Sequence, residues 1–169
     1  LETVKNLDHS VVLHVLTKKG KGYEPAEKDR SGIYHSVGAF DIVKGIHPVL
    51  DQEKHSWSQS VSDHVEYLMN KHDDICVITP AMITGSCLQR IFKNYPDRSF
   101  DVGIAEEHAM TLAAGLSQGK EFPFLSVYSS FFQRAYDQLN HDIARMNLPC
   151  LIGIDRAGLV GGDGATHHG

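Results

Sequence analysis

The sequence predicts an α/β fold, a doubly wound parallel sheet with helices on both faces and incomplete at both ends. Three observations carry that expectation. From Trp57 onward, short apolar runs alternate with stretches of helical period. The apolar runs are continuous rather than alternating, as strands buried on both faces are. Residue types suited to chemistry gather after the carboxyl ends of successive strands, where open α/β sheets hold their ligands.

Composition bounds the function. The 169 residues are 41% hydrophobic and 22% charged, enough for one domain's core. Net charge is −5 and the main basic run is Lys18-Lys19-Gly20-Lys21, so the electrostatic footprint of a nucleic-acid binder is absent. No apolar stretch has the length of a membrane span, and no charged segment followed by an apolar one marks a signal peptide. The expected location is cytoplasmic. Cys76, Cys87 and Cys150 sit in apolar runs and read as buried, reduced thiols. The eleven histidines lack zinc-ligand spacing, so no metal site is expected within the chain. No Gly-x-Gly-x-x-Gly follows a strand, which argues against a nicotinamide-binding domain. The chain starts without Met inside a helical pattern and stops in a glycine-rich loop, so we expect an internal fragment of a longer protein.

In chain order, residues 1–7 read as a helix and residues 11–17, β-branched and apolar, as a buried strand. Residues 18–22 form a basic, glycine-containing loop. Residues 1–40 end one domain, and residues 41–56, broken by Gly45 and Pro48, are a linker. Residues 57–169 form a second domain. Ser56 or Ser58 caps a helix whose apolar face is Trp57, Val61, Val65 and Leu68. A strand follows at 75–80 and a loop at 82–86. A helix then carries Leu88, Ile91, Phe92 and Tyr95 on one face, and Pro96 closes it. Next come a strand at 100–104 and a helix at 106–118 ended by Gly119. After a strand at 122–128, a helix over 131–145 has Ala135, Leu139, Ile143 and Met146 as one stripe. The last strand is 150–155, with a long loop behind it.

Three strand ends therefore share one edge. Past them lie Glu106, Glu107 and His108; then Tyr128, Phe131 and Arg134; then Arg156, Asp163 and His167. The opposite edge carries Lys120, Glu121 and Asn147, which read as surface. Each candidate has a plainer reading. Glu106 or Glu107 complements a helix dipole, or serves proton chemistry from an apolar helix start. His108 reads as a satisfied core histidine, Phe131 and Phe132 as core, and Arg134 as a partner of Asp137 at i,i+3. His167, among glycines, reads as part of a binding loop.

Ile104-Ala105-Glu106-Glu107-His108-Ala109, the run from Tyr128 through Phe131 and Arg134 to Gln138, and the loop from Asp155-Arg156 through Asp163 to His167 together resemble the transketolase-like thiamine diphosphate enzymes. Within that family they are similar to the branch of synthases that makes 1-deoxy-D-xylulose 5-phosphate. Residues 16–27 and Tyr34-His35-Ser36-Val37 share the resemblance. Glu107, where relatives carry Gln, and His168 depart from the pattern with little consequence.

The resemblance implies a thiamine diphosphate-binding fold and cofactor. Residues 1–40 would end the domain that holds diphosphate and Mg2+, and residues 57–169 would form a truncated aminopyrimidine-binding domain. It places Glu106 on N1′ of the aminopyrimidine as the catalytic acid, Phe131 stacked on that ring and Arg134 at its edge. Lys19 is a diphosphate contact, with Lys18 and Lys21 close by. Tyr128 and Arg156 bind the aldehyde's phosphate. His35, Asp163 and His167 are catalytic groups around pyruvate. The resemblance also implies that the metal ligands lie outside this chain, upstream of it, so that Gly162-Asp163-Gly164 is not the metal motif. The implied activity is condensation of pyruvate with D-glyceraldehyde 3-phosphate and loss of carbon dioxide, by a homodimer in its full-length form. The fragment alone is expected to be inactive. Two alternatives are another enzyme of the family and a non-catalytic doubly wound module used for binding or dimerisation.

Overall fold

The computed structural model describes residues 1–29, 33–35, 37, 39–46, 55–160, 166, 167 and 169. These belong to two compact units, Leu1–Leu50 and Asp51–Gly169.

The first unit has little regular structure. Helix α1 (Glu2–Lys5) and helix α2 (Glu24–Glu27) are single turns. The strand expected at residues 11–17 is not formed: the segment has no regular structure, with Val12 and Leu16 exposed. A β-branched run becomes a strand only when a second backbone completes its ladder, and none lies beside it among the described residues. Three aromatic rings of the unit pack together. Tyr23, Tyr34 and Phe40 meet with centroids 5.6, 5.8 and 6.0 Å apart. The Tyr23 hydroxyl donates to Ile42 O at 3.0 Å, and the Tyr34 hydroxyl accepts from Ile46 N at 3.1 Å.

In the second unit, helix α3 (Trp57–Met69) is capped by Ser56, whose Oγ accepts from Gln59 N at 3.1 Å. Its buried face is Ser62, Val65, Glu66 and Met69, while Trp57 is 87% exposed, contrary to the stripe read from the sequence. The polar members of that face are satisfied: Ser62 donates to Cys87 O at 2.7 Å, and Glu66 accepts from Arg90 and Asn94. The chain continues through strand β1 (Ile75–Thr79), helix α4 (Gln89–Asn94), strand β2 (Ser99–Asp101) and helix α5 (Glu106–Gln118). Strand β3 (Phe122–Tyr128), helix α6 (Ser129–Phe132), helix α7 (Tyr136–Gln138) and strand β4 (Leu151–Asp155) complete it.

The four strands form one parallel sheet in the order β2-β1-β3-β4. Val77 pairs with Phe124 and Ile78 with Leu125, so successive side chains leave the sheet on opposite faces. On one face Val77 and Phe124 pack against Val65 and Met69 of α3 and Leu88 and Ile91 of the α4 region. On the other, Ile78 and Leu125 meet Ala109, Met110 and Ala113 of α5, with Ala135 and Ile143. Helices thus cover both faces, as the continuous apolar strands predict. β1 leads away toward β2, and β3 leads the other way toward β4. The topological switch point, where such sheets open a crevice, lies outside the carboxyl ends of β1 and β3.

Several local expectations are corrected. Strand β2 stops at Asp101, whose carboxylate accepts from Gly103 N at 3.0 Å and turns the chain through a left-handed Gly103 (φ 71°). At the end of α5 the left-handed residue is Lys120 (φ 76°), not Gly119 (φ −72°). Lys120 N and Glu121 N reach Ser117 O and Leu116 O at 3.1 and 3.0 Å, a Schellman ending built on lysine. The single helix expected over 131–145 is four pieces: α6, a 3₁₀ turn (Gln133–Ala135), α7 and a π-helix (Leu139–Ala144). The wider π turn keeps Ile143 buried but rotates Met146 out of the stripe to 55% exposure. All three cysteines are free thiols; Cys76 is buried, while Cys87 and Cys150 are half-buried.

Candidate active site

The carboxyl ends of the strands assemble the site. β2 and the loop behind it deliver Glu106 as the first residue of α5, where backbone N–H groups have no helical partner and favour negative charge. Its side chain is 2% exposed. One carboxylate oxygen accepts from Arg134 Nη1 at 2.8 Å. Arg134 therefore pairs with Glu106 across the sheet edge, not with Asp137 along its own helix. Glu107 and His108 are exposed, so the expected core role of His108 is not realised.

From Arg134 a continuous line of rings follows. The guanidinium carbon lies 5.1 Å from the Phe131 centroid. Phe131 stacks with Tyr128 at 6.0 Å and an interplanar angle of 19°. His167 meets Phe131 edge-on at 5.3 Å and Tyr128 at 6.5 Å. Over the Tyr128 ring sits the Arg156 guanidinium, 3.9 Å from the centroid. Asp155 and Gly85 aim that guanidinium: Nη1 donates to Asp155 Oδ2 at 2.9 Å and to Gly85 O at 3.1 Å. The Ser58 hydroxyl donates to the same Asp155 oxygen at 2.7 Å. Arg156 has a left-handed backbone (φ 56°), a strained setting for a non-glycine residue.

Six candidates, Glu106, Phe131, Arg134, Tyr128, Arg156 and His167, thus form one connected cluster. Asp163 lies outside the described residues. Lys19 and His35 belong to the first unit, where Lys19 Nζ and His35 Nδ1 are 2.6 Å apart. Lys19 also lines a cavity of about 210 Å³ together with Lys18, Glu27 and Tyr34. Lys18 is paired with Glu27, and Gly22 N donates to that carboxylate at 2.8 Å; both hold the Glu27 carboxyl below its ordinary range, Lys18 chiefly. Gly20 turns this loop with φ 74°, and a Cβ there would stand 2.7 Å from Ala26.

Two contributors escape a reading of residue types. Asp101 Oδ1 accepts from both Ala81 N (2.8 Å) and Gly103 N (3.0 Å), tying together the loops after β1 and β2. Its sequence signal was an Asp two residues before a Gly, the pattern of an Asx turn. The other is the loop after β1, where Met82 Sδ accepts from Tyr128 N at 3.3 Å. No charged residue in 80–88 announces it.

Comparison with known proteins adds a lineage to this geometry. The model of the transketolase pyrimidine-binding domain matches residues 53–169. The chain belongs to the transketolase pyrimidine-binding domain family. All of it aligns with proteins named 1-deoxy-D-xylulose-5-phosphate synthase: 52% identical to that of Bacillus licheniformis and 50% to that of Listeria monocytogenes. It spans 27% and 28% of those relatives' lengths. Among solved structures, 59% of the chain superposes on 33% of a chain titled split gene transketolase, inactive beta4 tetramer, with TM-score 0.54 and 27% identity. The pyrimidine-binding domain assignment and the four-stranded parallel sheet agree on a thiamine diphosphate-binding α/β fold. No described helix is long and apolar enough to cross a membrane, and the described residues contain no cluster of His, Cys, Asp and Glu able to hold a metal ion.

Proposed function

We propose that residues 57–169 form the aminopyrimidine-binding part of a thiamine diphosphate enzyme, and that residues 1–40 end its diphosphate- and Mg2+-binding domain. In the full-length protein the activity is condensation of pyruvate with D-glyceraldehyde 3-phosphate to 1-deoxy-D-xylulose 5-phosphate, with release of carbon dioxide. Relatives of that name at 50–52% identity over the whole chain support this reading. The observation that carries it is the buried Glu106 carboxylate at the switch-point edge, with Arg134 on one oxygen and the Phe131 ring against that guanidinium.

Those residues fit the cofactor's pyrimidine ring. A carboxylate with a single charged partner on one oxygen retains acceptor capacity for a ring N–H. Phe131 offers a flat face, and an offset ring stack contributes about 0.5–1.5 kcal/mol beyond burial. When bound, thiamine diphosphate supplies a carbanion equivalent for attack on carbonyl carbon. Glu106 would hold a proton at the ring's N1′, and Arg134 orients that carboxylate. Tyr128 and Arg156 bind the aldehyde's phosphate, for which the guanidinium provides a planar fork of donors. His167, His35 and Asp163 hold or move protons near pyruvate, and Lys19 meets the diphosphate. The full-length protein acts as a cytoplasmic homodimer.

The test is turnover of the full-length protein on pyruvate plus D-glyceraldehyde 3-phosphate, alongside turnover on a ketose donor. Product from the first mixture, with a loss of about 10²-fold or more in Glu106→Gln, is the expected result. Preference for the ketose donor would reassign the chain to another member of the family. Unchanged activity in Glu106→Gln would leave only a binding or dimerisation module.

A further inference from the structure

The loop between β1 and α4, residues 80–88, has no charged side chain, yet it touches both members of the Tyr128–Arg156 pair. Gly85 O accepts from Arg156 Nη1 at 3.1 Å, and Met82 Sδ accepts from Tyr128 N at 3.3 Å. The third contact is a matter of space. A Cβ built on Gly85 would lie 1.5 Å from the Tyr128 hydroxyl oxygen and 2.8 Å from its Cζ. The hydroxyl therefore occupies the volume that any side chain at position 85 would need. The Gly85 backbone is not left-handed, so what excludes larger residues is the tyrosine rather than the conformation.

The loop has little freedom to yield. Ala81 N donates to Asp101 Oδ1 at 2.8 Å, Cys87 O accepts from Ser62 at 2.7 Å, and Leu88 N donates to Ile83 O at 2.8 Å. Ala81 and Cys87, at its two ends, both have left-handed backbones (φ 60° and 57°). The party able to move is the Tyr128 ring, which already has Arg156 against its face and Phe131 stacked beside it.

We propose that Gly85 is a positioning residue for substrate specificity: its bare Cα seats the Tyr128 hydroxyl and its carbonyl aims the Arg156 guanidinium, so that both donors converge on the aldehyde's phosphate. This rests on the assignment of Tyr128 and Arg156 to that phosphate. A methyl group at position 85 displaces the hydroxyl and the guanidinium above it. It makes no contact of its own with Glu106 or Arg134.

The experiment compares D-glyceraldehyde 3-phosphate with unphosphorylated D-glyceraldehyde in the full-length protein. Gly85→Ala is expected to raise KM for the phosphorylated aldehyde about tenfold or more, with kcat within about threefold and KM for D-glyceraldehyde unchanged. Equal loss on both aldehydes, or no loss on either, overturns the proposal. Tyr128→Phe removes the nearer of the two atoms that Cβ would strike, so Gly85→Ala added to Tyr128→Phe should raise KM less than it does alone; additive effects overturn the proposal. Should Gly85→Ala not fold, recovery of soluble protein in the Gly85→Ala/Tyr128→Phe double variant supports the clash, and failure of both overturns it. Arg156→Ala separates the two layers. If it abolishes preference for the phosphorylated aldehyde while Gly85→Ala leaves that preference undiminished, the positioning role alone falls. If Arg156→Ala retains that preference, the phosphate assignment falls and the role of Gly85 with it.

Discussion

Glu106 and Arg134 form an ion pair with unequal surroundings. The carboxylate is 2% exposed, whereas the Arg134 side chain remains 46% exposed, so only one member is desolvated. Removing Arg134 leaves a buried acceptor short of its charged donor. Arg134→Ala should lower the chain's unfolding free energy by about 1–3 kcal/mol, read as a shift in the urea midpoint. Glu106→Gln keeps an amide oxygen for Arg134 and should move that midpoint by less than about 1 kcal/mol while abolishing turnover in the full-length protein. A large stability loss in Glu106→Gln would mean that the acid serves the fold instead. Glu106 could be picked out from residue order alone, because an acid after a strand and at a helix start is a local pattern. Its partner could not: Asp137 is three residues from Arg134 and Glu106 is 28 away, and spacing favours the near one. Nor could the exposure of His108 be read locally, since nothing in its neighbours records which way the first turn of α5 faces.

Helices and strands in the second unit are pinned by a few long-range polar contacts. Arg98, in the 3₁₀ turn Pro96–Arg98, donates to Met69 O at 3.0 Å, His72 O at 2.8 Å and Ile75 O at 3.2 Å. It thereby satisfies carbonyls at the end of α3 and the start of β1, which have no helical partner. Arg98→Met should destabilise the chain by about 1–3 kcal/mol, and hydrogen exchange should speed first at the C-terminal turn of α3. Between β3 and β4 the limit is space: a Cβ on Gly153 would stand 2.8 Å from the Phe124 ring. Gly153→Val should cost about 1–3 kcal/mol through overpacking, measured by denaturant titration. The broken helix between β3 and β4 shows why an apolar stripe is not a helix. Thr111 donates to Asp142 at 2.7 Å, holding that carboxyl below its usual range and clamping the π turn to α5. The stripe of Ala135, Leu139 and Ile143 records burial against the sheet correctly, but period 3.6 does not distinguish one helix from a chain of tighter and wider turns packed on the same face.

Two thiols give the molecule an alkaline limit. Burial pushes Cys76 and Cys150 up to about 11, from an ordinary value of 9.0. A group whose pKa is raised by folding contributes stability that is fully present below pH 9 and lost as pH rises toward 11. The chain's melting temperature should therefore fall between pH 9 and 11, and less steeply in Cys76→Ala/Cys150→Ala. At pH 7.5 a thiol titrating near 11 is about one part in three thousand thiolate, so neither should alkylate until the fold is opened. The chain covers about 27% of its relatives' length, and the proposed catalytic cycle needs groups from more than one domain. Expressed alone it should show no turnover of pyruvate with D-glyceraldehyde 3-phosphate; measurable product would place the complete machinery within these 169 residues.

The order of strands and helices from Trp57 onward, the parallel two-faced sheet and the edge that carries Glu106, Tyr128 and Arg156 were all legible in the amino-acid order, because burial imprints a period on neighbouring residues. Residues 11–17 show the limit of that legibility, since an apolar run records a wish for a partner strand but not whether one is there. The Glu106–Arg134 contact, the seat of Tyr128 against Gly85 and the aim of Arg156 came only with three-dimensional packing. Those contacts join residues 28, 43 and 71 positions apart, and no local period carries information over such a gap.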